Sequence, residues 1–165
     1  MRLFDANAWI GPQFAPREGR FVGADELLDE MDRFGIERAL VSHFLAAEWD
    51  TEAGNARLLE EIAGRPRLRP CWVVDLPPFG RQPDVEAMVR RAVASGVRAA
   101  RFPWGGPLAN VSVLDPDALG GLFGALEGHR MPLLLVNDAG TDLGGNEIVQ
   151  VKELCRSHPG LPVIL

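Results

Sequence analysis

The chain has 165 residues, 47% of them hydrophobic, which suits one sizeable core and is too short to expect two domains. Asp and Glu number 23 against 17 Lys and Arg, with Lys152 the only lysine; lacking a basic patch to neutralise phosphates, the chain is not expected to bind nucleic acid. No apolar run approaches the roughly 20 residues of a membrane span, and Met1–Ile10 lacks a signal-peptide core, so a soluble cytoplasmic protein is expected.

Taken in chain order, short apolar runs each open a unit that continues as a helix. The predicted strands are Leu3–Ile10, Ala39–Phe44, Leu68–Asp75, Ala99–Phe102, Pro132–Val136 and Leu161–Leu165. Their starts lie about 30 residues apart, the length of one βα unit. The first helix buries Leu27, Leu28, Met31 and Phe34 and stops at Gly35; the second carries Leu58, Leu59 and Ile62 before Gly64. Val85, Met88, Val89, Ala92 and Val93 follow the helical template and end at Gly96, and Leu119, Leu122, Phe123 and Leu126 repeat it after the Asp115-Pro116 cap. The last helix, Glu147–Ser157, is expected to be capped by Asn146 and to pack through Ile148, Val151 and Cys155. Cys71 and Cys155 both read as buried small hydrophobes of a reduced compartment.

Continuous apolar strands such as Pro132–Val136 suit a parallel sheet covered on both faces, and helical connections make neighbouring strands parallel. The fold expected is α/β: an incomplete (β/α)8 TIM barrel of parallel strands, five βα units plus a sixth strand, with an open doubly wound sheet as the alternative. The long segments all follow strand ends, as at 11–23, 45–54, 76–83, 103–114 and 137–145, which puts the working loops on one face. Residues 161–165 form a core strand with no turn after it, so a truncated gene product, a fragment or a half completed by a partner is expected, marginally stable or oligomeric through that unfinished strand.

Candidate chemistry gathers at the strand ends. Strand alternation puts Asp5, Asn7 and Trp9 on one face. His43, ending the second strand, is placed to act as a general base, bind a substrate carboxylate, or hydrogen-bond structurally. Arg101 is placed to clamp a carboxylate or to pair with Asp75 or Asp138. Asp75 and Asp138 follow strands and either converge catalytically or cap loops, while Asn55 is expected to cap its helix. Trp104, Trp49 and Phe44 line a pocket or pack under the loops. Gly105-Gly106 and Gly144-Gly145 lack the lysine and spacing of a phosphate loop. His129 and His158 precede strands and carry no expected catalytic role.

The first strand, Asp5-Ala6-Asn7-Ala8-Trp9-Ile10-Gly11, resembles that of the amidohydrolase superfamily, whose pattern is Asp-x-His-x-His-x-Gly. Residues 27–41, Gly54-Asn55-Ala56-Arg57, Arg65-Pro66 with 70–75, and Gly96–Phe102 resemble later stretches in the same order, over essentially the whole chain. The resemblance implies the N-terminal part, residues 1–165, of one metal-dependent barrel domain that hydrolyses or decarboxylates a small carboxylate-bearing substrate. Its ligand positions are altered. Asn7 and Trp9 stand where the family's two metal-binding histidines do, and Asn137-Asp138 where its fifth strand ends in another. The next histidine and the catalytic aspartate of the family would fall beyond Leu165. The candidate site is therefore catalytic His43 and Asp138 with substrate-binding Asn7, Trp9, Arg101 and Asn137. No metal ligand and no cofactor are expected, although the family uses a divalent metal such as zinc. The partner expected is a small-molecule substrate or ligand, and the alternative function is a non-catalytic degenerate barrel that binds a small molecule or a protein.

Overall fold

The computed structural model describes residues 2–14, 23–74, 84–103, 119, 121–136 and 145–165, the first three residues of the last stretch by backbone alone. Six strands alternate with helices in it: β1 (Leu3–Ile10), α1 (Ala24–Phe34), β2 (Ile36–His43), α2 (Phe44–Glu48), α3 (Thr51–Glu61), β3 (Leu68–Val73), α4 (Val85–Ala94), β4 (Ala99–Pro103), α5 (Leu122–Gly128), β5 (Leu133–Val136), α6 (Gly145–Ser157) and β6 (Val163–Ile164). Every strand pair described here is parallel, and the fold is an incomplete (β/α)8 barrel. The chain forms two compact units, Met1–Val73 and Val74–Leu165.

In the first unit β2 pairs with β1 on one side and β3 on the other. Ala8 and Ile10 of β1, Ala39 and Val41 of β2 and Leu68 of β3 form one core with Ala24, Leu27 and Met31 of α1 and Leu58 and Ile62 of α3. The i, i+3/i+4 spacing of these helix residues lets both helices cover the same sheet face, and each large side chain so buried stabilises the unit by about 1.5–3 kcal/mol. Phe34, expected in that face, is exposed. It is the last residue of α1, and Gly35 turns the chain away in the left-handed conformation at φ 66°.

The segment after β2 was expected to be a loop, but it is α2 followed at once by α3. Two caps explain this. The His43 ring nitrogen accepts the Leu45 N–H, and the Asp50 carboxylate accepts the Ala53 N–H at 2.8 Å. Gly54 lets the two helices touch: a Cβ there would lie 2.6 Å from the Ala46 Cβ and overlap the Ala46 backbone.

In the second unit β5 lies between β4 and β6. Asp84 caps α4 through the Ala87 N–H, as its position before the apolar template would suggest. The His129 ring pairs with Glu86 at 2.8 Å, and Glu127 pairs with His158 at 3.1 Å while accepting the Gly160 N–H. Both histidines thus tie helix ends together, and the His158 and Gly160 hydrogen bonds hold the Glu127 carboxyl below its ordinary value. Two expectations for α6 are corrected. Its buried residue is Leu154, with Cys155 exposed, so the inward face is rotated by one position; and the helix starts at Gly145, which puts Asn146 inside it rather than at its cap.

Candidate functional site

The strand ends of the first unit carry the candidate site, and register decides which side chains share it. From Ala8 onward β1 and β2 run in step, Ala8 beside Val41, Trp9 beside Ser42 and Ile10 beside His43. Residues side by side in a parallel ladder point the same way, and successive ones alternate. Ala8, Ile10, Ala39 and Val41 belong to the helix-covered core. Trp9 and Ser42 therefore point to the opposite face.

His43 has the parity of Ala39 and Val41 and points into the helix layer, so the structure does not bring it to Asn7 and Trp9. Its surroundings agree. The ring is 3% exposed, its Nδ1 accepts the Leu45 N–H at 3.1 Å, and its Nε2 lies 3.7 Å from Oε1 of Glu61 on α3. An acceptor role for Nδ1 puts the proton on Nε2. The Glu61 distance is an electrostatic contact beyond hydrogen-bonding range. Glu61 is itself held by Arg57 Nε at 2.8 Å. Burial pushes the imidazole below its ordinary pKa; the Glu61 carboxylate opposes this without cancelling it, and the Arg57 charge adds to it. His43 is thus a neutral, buried cap on α2.

Gly11 closes the other side of the ring. Its φ is 92°, and a Cβ built on it would lie 2.6 Å from Nε2 and 2.8 Å from Nδ1 of His43. A side chain there would be excluded twice, by backbone conformation and by the imidazole.

On the far face, Trp9 stacks on Phe44, with ring centroids 4.8 Å apart and planes 18° from parallel. The register slips between Asp5 and Ala8, a bulge that breaks the alternation expected to align Asp5 with Asn7 and Trp9. The Asp5 carboxylate instead accepts the Asn7 N–H at 2.8 Å, fixing the backbone at the slip. Ser42 is fully buried and donates to the Cys71 carbonyl of β3 at 2.8 Å. Beyond the strands, Phe14 meets Trp49 at 5.8 Å, both largely exposed, and the Phe14 N–H donates to Glu48 at 2.6 Å. The strand-end surface therefore offers aromatic faces, an exposed amide and a tied-down hydroxyl.

Asn55 was expected to cap α3 and does something else. Asp50 holds that cap, while the Asn55 amide donates to the Val73 carbonyl at 2.8 Å and accepts the Val73 N–H at 3.0 Å. Two hydrogen bonds from one buried amide fasten α3 to the exit of β3. The signal was available in the sequence, since a polar residue one turn inside a helix, on the side of Leu58, has to find a partner when buried.

In the second unit Arg101 is fully buried in β4, beside Leu134 of β5. Asn137 and Asp138 lie outside the described residues, as do Asp75, Trp104, Gly105-Gly106, Gly144 and the Asp115-Pro116 cap. Among the described residues no three His, Cys, Asp or Glu side chains come together in a metal-holding group, and no helix is long and apolar enough to cross a membrane.

No protein-family model and no curated protein matches the chain. Solved structures do. One is 2,6-dihydroxybenzoate decarboxylase complexed with 2,6-dihydroxybenzoate, with TM-score 0.72 and 20% identity over 100% of this chain and 67% of that one. Another is a "probable 2-pyrone-4,6-dicarboxylic acid hydrolase" from Acinetobacter baumannii with citric acid bound, with TM-score 0.66 and 14% identity over 99% of this chain and 57% of that one. A third is dihydroorotase from Campylobacter jejuni, with TM-score 0.57 and 14% identity over 99% of this chain and 47% of that one. The chain shares the fold of these structures and spans about half to two thirds of their length.

Proposed function

We propose that this chain is the N-terminal part of an amidohydrolase-type barrel protein whose complete form hydrolyses or decarboxylates a small carboxylate-bearing substrate without the metal that the resemblance implies at β1. The observation that carries this reading is the strand-end face of β1. Asn7 and Trp9 occupy the sequence positions where the family has metal-binding histidines, and Trp9 is stacked on Phe44. The donor set does not fit a zinc-type ion: an amide oxygen is a weak neutral ligand, and an indole offers a donor and no lone pair. The same pair suits an organic ligand, which the indole face would stack against and the Asn7 amide would orient. In the second unit, Arg101 and Asn137 are proposed as substrate-binding residues and Asp138 as a proton-transfer group. His43 supports the site by position, holding the start of α2, and thereby Phe44 beneath Trp9.

A second reading is a non-catalytic barrel that binds a small molecule or a protein. The placement of His43 favours it, because the one histidine expected to serve as a base points away from Asn7 and Trp9.

Metal analysis of the full-length protein, joined to a panel of ester, amide and carboxylate substrates, separates the readings. Turnover at sub-stoichiometric metal is the result expected of the metal-free enzyme. Stoichiometric zinc, iron or manganese would overturn that reading, and a metal-free, inert protein that still binds aromatic carboxylates would leave the non-catalytic one.

A further inference from the structure

At the opposite ends of the strands, the first unit holds a cleft of about 420 Å³ lined by Glu37, Arg38, Pro66, Arg67 and Arg69. Three guanidiniums around one carboxylate stand out in a chain whose net charge is −6. Arg67 is engaged in structure: its Nε donates to the Glu37 carbonyl at 3.1 Å, one terminal nitrogen donates to the Ile36 carbonyl at 2.7 Å, and the other pairs with Asp32. Among the described residues Arg38 pairs only with Glu37, at 3.9 Å, and that carboxylate is also approached by Arg2 at 3.4 Å. Arg69 is exposed and has no hydrogen bond or ion pair among the described residues.

The register puts these two residues on one sheet face. Leu40 lies beside Arg69, and Arg38 precedes Leu40 by two residues, so Arg38 and Arg69 project from the same sheet face, opposite the helix-covered core of Ala39, Val41 and Leu68. Two guanidiniums lining one open cleft from the same sheet face offer an oxyanion a fork, because each presents planar paired donors.

We propose that this cleft binds a small oxyanion carrying two or more negative charges, separately from the strand-end site. The test is titration of the chain with sodium pyrophosphate at constant ionic strength, following the guanidinium NMR signals of Arg38 and Arg69. A saturable shift with a dissociation constant near or below about 1 mM is expected. Arg38→Ala and Arg69→Ala should each weaken it at least about fivefold, and Arg33→Ala, whose partner is Glu30 on α1, should leave it unchanged. A parallel citrate titration sorts the ligand chemistry: tighter pyrophosphate binding marks a phosphoryl ligand and tighter citrate binding a polycarboxylate. A shift that never saturates, that matched sodium chloride reproduces, or that survives both cleft substitutions overturns the proposal.

Discussion

Gly11→Ala tests the arrangement around His43 most directly, because two costs of separate origin fall on one methyl group. The left-handed backbone at φ 92° costs an L-residue about 1–2 kcal/mol. The added Cβ also falls within 2.6–2.8 Å of the His43 ring nitrogens. The ring cannot swing away freely, since Nδ1 is bonded to the Leu45 N–H and the side chain is enclosed. Overpacking of this kind costs about 1–3 kcal/mol, so the substitution should destabilise the chain by about 2–5 kcal/mol in all. A double-mutant cycle with His43→Ala separates the parts. His43→Ala alone loses the α2 cap, worth about 0.5–2 kcal/mol, and leaves a cavity. With the ring gone, the alanine at position 11 keeps only its backbone cost, so the two changes should be less than additive by about 1–3 kcal/mol. Urea unfolding of the four proteins measures this. Additivity to within about 0.5 kcal/mol would refute the contact between Gly11 and the ring.

Three further predictions rest on neighbouring contacts. Because burial lowers the His43 pKa in the folded chain, His43 should contribute stability that is fully present above its unfolded value near 6.5 and is lost as pH falls through the depressed folded pKa; His43→Asn should flatten that part of the pH–stability curve, and an imidazole NMR titration midpoint at or above about 6.5 would contradict it. Asn55→Ala leaves the Val73 N–H and carbonyl without their partner and should cost about 2–4 kcal/mol by urea unfolding, whereas a loss under about 0.5 kcal/mol would show the clamp to be idle. Gly54→Ala gains about 1 kcal/mol of helix propensity but drives a methyl into Ala46, so a net loss of stability is expected, and a raised melting temperature would mean that α2 and α3 do not touch as described.

Much of the fold was legible because it rests on local periodicity. The helix stops at Gly35, Gly64 and Gly96 all adopt positive φ, and the buried positions of α1, α3 and α4 largely follow the apolar template. Relations between elements were less legible. The slip in β1 is a register event that depends on β2, so counting residues from Asp5 could not reveal it. The first turns of α2 were hidden because their cap is a histidine, which ranks poorly as a cap in isolation. His43 was assigned to the site face by its closeness to the strand end. Alternation with Ala39 and Val41 would have placed it in the helix layer, and that signal was present in the sequence. In α6, Ile148, Val151 and Cys155 form a plausible stripe, but Leu154 buries more apolar area than a cysteine and takes the inward position.

The residues that carry the family resemblance divide by what they do here. Gly11 gives room to the His43 ring, Gly54 gives room to Ala46, Asn55 fastens α3 to β3, and Arg57 holds Glu61 beside the imidazole. Each of these answers a packing or hydrogen-bonding demand that the fold imposes whatever chemistry it performs. Asn7 is exposed, its N–H bonded to Asp5, and Trp9 is half-buried and stacked on Phe44. Position 7 thus lies at the surface and position 9 at the edge of the core, whereas Gly11, Gly54 and Asn55 are buried. The chain keeps the barrel fold while presenting an amide and an indole at the positions where the resemblance expects imidazoles. That difference directs functional tests to the Trp9–Phe44 face, where the departure from the family pattern is concentrated.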